Sequence, residues 1–157
     1  MSEITNQHVD AYVGGKIELV DLLGVDADTL DKLRGRAQFF LDGGHRERAL
    51  IMLEMLEELD RRDKLPTLLA IEVLLELGRS DAARDKIDAL LARDAHDPDA
   101  LVALAELRLA TGELVAAANL LRTVIEVDPD AKTSAGARAQ AVAARAHARL
   151  SRQNHRG

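Results

Sequence analysis

A spacing of 34 residues recurs along this chain and limits the folds that it can adopt. Gly44, Gly78 and Gly112 lie 34 residues apart. An alanine follows each glycine by five residues and an aspartate follows each by sixteen: Ala49, Ala83 and Ala117, and Asp60, Asp94 and Asp128. Repetition with a period of about 20 to 50 residues is the sequence signature of repeat proteins, so the register predicts an array of similar units.

Each unit is predicted to be a pair of helices joined by a short turn. Leu, Ala, Arg and Glu favour helix, and no run of alternating β-branched residues indicates a strand. The glycine suits the turn because it adopts positive φ without the steric penalty of a Cβ atom. After the turn, Ala49, Leu53 and Leu56 recur at helical steps and form a buried stripe. Asp97 and Pro98 are typical of an N-cap followed by a first-turn proline, which opens the third pair.

These residues resemble the tetratricopeptide repeat, in which an alanine follows the turn glycine by five residues and a proline, here Pro129, often closes the unit. The resemblance implies an all-α fold, a right-handed α-solenoid of three helix–turn–helix repeats. The predicted parts are an N-terminal polar segment with a short helix (1–29), the repeats (30–63, 64–97 and 98–131), and a C-terminal capping helix with a basic tail (132–157).

Two regions depart from this pattern. Residues 1–15 are polar and contain two adjacent glycines, so we expect them to fray, with a short helix over 17–23. Within the repeats, Ile71 stands where the family has a small residue, and Arg108 stands where it has an aromatic one. We expect looser or shifted packing around both side chains.

Composition excludes several classes of function. The chain has no cysteine, which excludes disulfides and thiolate chemistry, and its five histidines show none of the usual metal-ligand spacings. We therefore expect neither an enzyme nor a bound metal or cofactor. No apolar stretch approaches about 18 residues and no export signal is visible, so we expect a cytoplasmic protein without a membrane span.

Charge is distributed unevenly along the chain. All 27 acidic residues lie at or before Asp130, whereas the residues after it include six basic side chains and no acidic one. The acidic body argues against a dedicated nucleic-acid site. In the tail, five arginines share one side of the predicted helix: Arg138, Arg145, Arg149, Arg152 and Arg156. This stripe is interpreted either as a solvated face of the cap or as a site for an acidic partner, including the acidic body of a second copy.

The tetratricopeptide resemblance also implies a concave surface lined by the first helix of each repeat. The candidate partner-binding residues at the matching positions are Arg34, Gln38, Leu41, Leu65, Leu68, Glu72, Leu75, Val102, Glu106 and Leu109. This set is largely apolar, which favours a protein or peptide with apolar anchors. Glu72 and Glu106 would repel a carboxylate, so a clamp for an acidic C-terminus is rejected. The alternative is that these leucines merely pack between helices.

One stretch has a more specific resemblance. Residues 24–33, GVDADTLDKL, lead into the AQFF of 37–40, then Gly44, Ala49 and the LDRRD of 59–63. This succession resembles the class II chaperones of type III secretion systems. The resemblance implies a cytosolic chaperone that holds an apolar segment of a translocator protein in its groove. It also implies a homodimer formed partly through the N-terminal helix.

The dimer contacts implied in this way are Ile17, Leu19, Leu22 and Leu23. A second interpretation of the whole chain remains open, because the aromatic residues usual in the chaperone family are missing here. In that interpretation the protein is a scaffold or adaptor subunit that holds partners in a bacterial multiprotein assembly.

Overall fold

The computed structural model describes residues 3–154, with side chains as far as residue 152. Within that range every regular element is a helix, and there are nine. They are α1 (Asn6–Val13), α2 (Leu19–Leu23), α3 (Ala27–Asp42), α4 (Arg46–Leu59), α5 (Leu65–Glu76), α6 (Ser80–Arg93), α7 (Pro98–Ala110), α8 (Leu114–Val127) and α9 (Ser134–Asn154). The chain divides into two compact units after Val73, so the first unit contains α1 to α4 with most of α5.

The periodic glycines lie where the sequence predicts them. Gly44, Gly78 and Gly112 each follow the first helix of a pair, with φ of 72°, 72° and 83°. A residue with a Cβ atom is strained in this left-handed region, which is why glycine recurs. The start predicted for the third pair is also confirmed, because the Asp97 carboxylate accepts from the backbone N–H groups of Asp99 and Ala100 and Pro98 occupies the first turn.

The periodic aspartates have a structural role that the sequence left unexplained. Each lies at the end of the second helix of a pair and accepts a hydrogen bond from the turn that follows. Asp60 accepts from the N–H of Arg62 at 3.0 Å, and Asp94 from that of His96 at 2.9 Å. Asp128 accepts from the N–H groups of Lys132 and Thr133 at 2.9 and 2.8 Å. The carboxylate thereby satisfies backbone donors that leave the helical ladder.

In the first unit, α3 packs against α4, and α2 packs against both α1 and α4. The predicted stripe of α4 is confirmed, because Ala49, Leu53 and Leu56 are at most 4% exposed. Val20 is the buried side chain of α2, whereas α1 buries none. The expected fraying of residues 1–15 is wrong for 6–13. There a capping box formed by Thr5 and His8 satisfies backbone donors and begins α1.

In the second unit, one hydrophobic cluster joins α7, α8 and α9. It contains Val102 and Ala105 of α7, Ala117, Leu121 and Val124 of α8, and Ala135, Ala139 and Val142 of α9. The last helix thus covers the third pair, as its alanine-rich stripe predicts. Burying a Leu or Val side chain stabilises a fold by about 1.5 to 3 kcal/mol, so this cluster holds α9 in place.

The two unusual repeat positions are both accommodated. Ile71 is fully buried, so the fold takes up its larger side chain in the core. Arg108 is half-buried and forms an ion pair with Glu113 at 2.5 Å, which turns its charge out of the core. The long stem of arginine can pack against apolar neighbours while its guanidinium reaches a carboxylate.

The start of α9 depends on close approach to Asp128. A Cβ atom on Gly136 would lie 2.1 Å from Oδ2 of Asp128, the oxygen that accepts from both the N–H and the hydroxyl of Thr133. We expect Gly136→Ala to lower the free energy of unfolding by about 1 to 3 kcal/mol, because the alanine must displace this cap. Urea unfolding followed by circular dichroism measures the change.

Gly35→Ala is the matched control. Gly35 lies inside α3, is exposed, and would bring its Cβ within 4 Å of nothing. Alanine there should stabilise the protein by about 0.4 to 1 kcal/mol, through helix propensity and reduced freedom of the unfolded chain. If Gly136→Ala raised the free energy of unfolding as much as Gly35→Ala, Asp128 would move aside without an energetic cost.

The turn aspartates also predict how stability depends on pH. Hydrogen bonds from the Thr133 side chain and from backbone N–H groups lower the pKa of Asp128, and those from Arg62 lower the pKa of Asp60. A carboxylate whose pKa is lowered by folding stabilises the fold above its unfolded pKa of about 3.9, and that contribution is lost as pH falls below it. The melting temperature should therefore fall as pH decreases from about 5 to 3.

Asp128→Asn keeps an acceptor oxygen but removes the charge, so it should lower the melting temperature at neutral pH and flatten this acid dependence. Asp88→Asn, on an exposed residue of α6, is the control and should keep the wild-type profile. The interpretation is wrong if both variants follow the wild-type profile.

Candidate functional site

In the first unit, the polar candidate residues are already engaged by neighbouring side chains. Arg34 donates to Asp63 at 3.0 Å and to Asp31 at 3.1 Å, and the hydrogen bond with Asp63 raises the pKa of the guanidinium. Gln38 donates to Asp42 at 2.7 Å. Two aspartates thus balance the single positive charge of Arg34, which leaves little net attraction there for a further carboxylate.

The apolar candidates of the first unit differ in exposure. Leu65, at the start of α5, is 54% exposed, and Leu41 is half-buried. Leu68 is only 7% exposed, so its side chain belongs to the core rather than to an open surface. Glu72 is half-buried and has interaction partners of its own. Among the apolar candidates of this unit, Leu65 and Leu41 therefore keep exposed surface, whereas Leu68 does not.

One groove candidate of the second unit is buried rather than exposed. Val102 is fully buried in the cluster that α9 completes, so it does not line an accessible groove. The sequence pattern predicted that α9 caps the third pair, but not that its alanines would cover this position. Leu109 packs partly against the same cluster, and Leu75 is half-buried.

Glu106 is also placed differently from the expectation. Its carboxylate accepts hydrogen bonds from two arginines of α9, Arg138 and Arg145, the latter at 3.2 Å. The side chains of Glu106 and Arg138 are only 17% and 22% exposed, whereas Arg145 is 66% exposed. The predicted repulsion of a carboxylate by Glu106 is therefore wrong, because two positive charges surround this one negative charge.

The basic stripe predicted on the C-terminal helix lies on α9 as far as the structure describes it. Arg149 and Arg152 follow Arg145 on the exposed part of the helix, and Arg156 lies outside the described residues. The direction of the stripe toward α7 was not predictable from the sequence, because Arg138 and Arg145 follow Glu106 by 32 and 39 positions.

The candidate dimer contacts lie on and beside α2. Ile17, Leu19 and Leu22 are half-buried within the first unit, and Leu23 is 51% exposed. Val20, which the sequence analysis did not name, is the residue of α2 that is buried against the unit. Leu23 is therefore the member of this set with the most surface available to another molecule.

Charged side chains hold α2 against the end of the first repeat. Glu18 pairs with Arg61 at 3.4 Å, and Asp21 pairs with Arg62 at 3.3 Å. The Arg61 guanidinium also lies 5.8 Å from the centre of the Tyr12 ring, within cation–π range. The acidic and basic residues were visible in the sequence, but their separation by about forty positions hid the pairing.

Several exposed apolar side chains lie outside the sets of candidate contact residues. Phe39 and Ile51 of the first unit are 65% and 66% exposed, and Val115 and Val127 of the second are 77% and 84% exposed. They fall on first and second helices alike, so exposure alone does not mark a site.

The described part of the chain contains neither a cluster of metal-binding side chains nor a membrane-spanning helix. Among those residues, no three His, Asp or Glu side chains converge where an ion could be held. Of the helices within 3–154, none combines the length and apolar character needed to cross a membrane.

Comparison with known proteins supports the fold. Residues 74–146 match the tetratricopeptide repeat family. Comparison with curated protein sequences gives no match. Among solved structures, SycD, the type III secretion translocator chaperone of Yersinia enterocolitica, aligns over 80% of this chain and 96% of its own. Its TM-score is 0.68, with 24% identity.

Two further structures share the fold. A type III secretion complex from Aeromonas hydrophila aligns over 93% of this chain and 99% of that chain, with a TM-score of 0.70 and 21% identity. The first TPR of Spaghetti (RPAP3), bound to the HSP90 peptide SRMEEVD, aligns over 81% and 97%, with a TM-score of 0.60 and 15% identity. The predicted fold class is confirmed: residues 74–146 match the tetratricopeptide repeat, and the chain resembles the type III secretion translocator chaperone SycD in its all-α fold.

Proposed function

We propose that this protein is a tetratricopeptide module that binds an apolar segment of a partner protein. The observation that carries the proposal is the presence of accessible leucines on the first helices of the repeats. Leu65 is 54% exposed on α5, and Leu41 and Leu109 are partly exposed on α3 and α7. Partly exposed leucines held on rigid helices can pack against apolar side chains of a ligand with little loss of conformational freedom.

The more specific proposal is a cytosolic chaperone for a secreted or translocator-type partner. It is supported by the resemblance of residues 24–63 to such chaperones and by the fold shared with SycD, itself a translocator chaperone. The first TPR of Spaghetti, which shares this fold, has been solved with a bound peptide. We expect the segment bound here to be apolar, because the candidate donor Arg34 is engaged by Asp31 and Asp63.

A double substitution tests the binding residues. Leu65→Glu with Leu75→Glu places charge on one accessible leucine and one half-buried leucine of α5. The affinity for a partner identified by pull-down and mass spectrometry should fall by at least about tenfold, because the contact would have to bury an unpaired carboxylate. Isothermal titration calorimetry with the purified partner measures the affinity.

The control is Ile51→Glu with Val115→Glu, which adds the same charge to exposed positions on second helices, one in each unit. Its affinity should stay within about twofold of the wild type, since exposed surface substitutions have small effects. If the control variant loses binding while the α5 variant retains it, the partner binds the second helices and the proposal fails.

Self-association is a separate proposal, and it depends on the N-terminal residues. We propose a homodimer contact that includes Leu23, which is the most exposed of the four candidates. Leu23→Glu should reduce the mass measured by light scattering from dimer to monomer, because the substitution puts charge into an apolar contact. Val127→Glu, at an 84% exposed position of α8, should leave the mass unchanged. A monomeric wild type, or a dimer that survives Leu23→Glu, contradicts this contact.

Chaperone and scaffold functions differ in the fate of the complex. A chaperone should raise the soluble yield of its partner on co-expression. It should then release the partner before the partner functions. A scaffold should instead stay in the mature assembly. Following both chains by size-exclusion chromatography through assembly separates the two outcomes.

A further inference from the structure

One carboxylate lies between two arginines on the surface of α7 and α9. In the second unit, Glu106 of α7 accepts hydrogen bonds from Arg138 and Arg145 of α9. Arg145 nevertheless remains 66% exposed, so most of its donor surface faces water. A guanidinium has five N–H donors, and one contact to Glu106 leaves Arg145 able to bind a second carboxylate.

The arginines continue past this contact. We define the α9 arginine stripe as Arg138, Arg145, Arg149 and Arg152, which fall on one side of a helix turning 100° per residue. Arg149 makes no ion pair within the described residues, and Arg152 donates to the carbonyl of Ala148 in its own helix at 3.2 Å. The stripe thus carries more positive charge than Glu106 balances.

The packing of α9 fixes which side of the helix the stripe occupies. Ala135, Ala139 and Val142 are buried against α7 and α8, and the helix continues beyond this cluster to Asn154. Arg145 and Arg149 are exposed beside and beyond the cluster, and they are about 6 Å apart along the axis. Alternate side chains of an extended strand are separated by about 6.6 Å, so acidic residues at alternate positions of a bound segment would match them.

We propose that the α9 arginine stripe binds an acidic, extended segment of a protein partner, whose carboxylates bind Arg145 and Arg149 and compete with Glu106 for Arg138. The biological use of this site rests on the proposed partner-binding function, but the binding itself can be tested apart from it. The stripe would recognise a second segment of the partner, different in chemistry from the apolar one.

Charge favours an acidic peptide over nucleic acid. Within the second unit, residues 74–130 include twelve acidic and six basic side chains, so this part of the unit has a net negative charge. A long polyanion bound along the stripe would be repelled by these negative charges, whose interactions extend over about 8 Å at physiological salt. A short acidic segment can bind the stripe alone, and the chain's own Glu106 shows that the stripe accommodates a carboxylate.

A labelled peptide tests the site directly. The probe is a fluorescein-labelled peptide of five Glu-Ala repeats, compared by anisotropy with a Gln-Ala peptide at low salt. We expect the acidic peptide to bind at least about tenfold more tightly, and to lose this preference at about 0.5 M salt as screening increases. Arg145→Gln with Arg149→Gln should weaken its binding by at least about fivefold.

Two controls separate the stripe from net charge. Arg122→Gln with Lys132→Gln removes the same charge from exposed residues of the second unit that lie off the stripe, and should weaken binding less than about twofold. Glu106→Gln removes the competing carboxylate and should tighten binding about twofold to threefold. Glu126→Gln, on the exposed side of α8, should have less effect than Glu106→Gln. Circular dichroism confirms that each variant is folded.

Each contrary outcome overturns the proposal. If Arg122→Gln with Lys132→Gln weakened peptide binding as much as Arg145→Gln with Arg149→Gln, the peptide would be attracted by net charge alone. Tighter, stripe-dependent binding of a short DNA duplex than of the acidic peptide would assign the stripe to nucleic acid. A wild-type mass that falls only when the stripe is neutralised would assign it to a second copy. The Leu65→Glu, Leu75→Glu variant should still bind the acidic peptide, which distinguishes failure of the stripe from failure of the apolar site.

Discussion

Close packing at one small residue controls the geometry of the helix pairs. Ala49, Ala83 and Ala117, five residues after each turn glycine, are all fully buried. A larger side chain at these points would push the helices apart, because protein interiors have little free volume. The positive φ of the glycine sets the direction of the chain into the second helix, and the alanine lets that helix approach its neighbours. The 34-residue register of the sequence follows from this pair of requirements.

The end of each unit is set by polar contacts rather than by apolar ones. The aspartate that closes a pair accepts backbone hydrogen bonds from the next turn, and at Asp128 the same carboxylate also caps the start of α9 through Thr133. Gly136 is required there because a Cβ atom would collide with that carboxylate. Since α9 buries Val102 and brings Arg138 and Arg145 to Glu106, the chemistry of this face of the second unit depends on how that helix begins.

Two kinds of surface therefore lie on the molecule. Leucines on first helices, such as Leu65, offer apolar contact, while the α9 arginine stripe offers charge. Burial of apolar area supplies affinity, whereas exposed charges mainly supply specificity and rate of association. The proposed apolar contact and the proposed acidic contact would therefore contribute differently to the binding of a partner.

Local patterns in the sequence specify the helix pairs, their turns and their buried stripes. These features depend on residues close together in the chain: the glycines at positive φ, the Asp97 cap and the spacing of Ala49, Leu53 and Leu56. Which candidate side chains are accessible depends instead on how the helices pack. Leu68 and Val102 match groove positions but are buried, and Glu106 matches a repulsive position but is neutralised by arginines more than thirty residues away. Periodicity specifies the face of a helix on which a residue lies, whereas burial and ion pairing depend on which other helix covers that face.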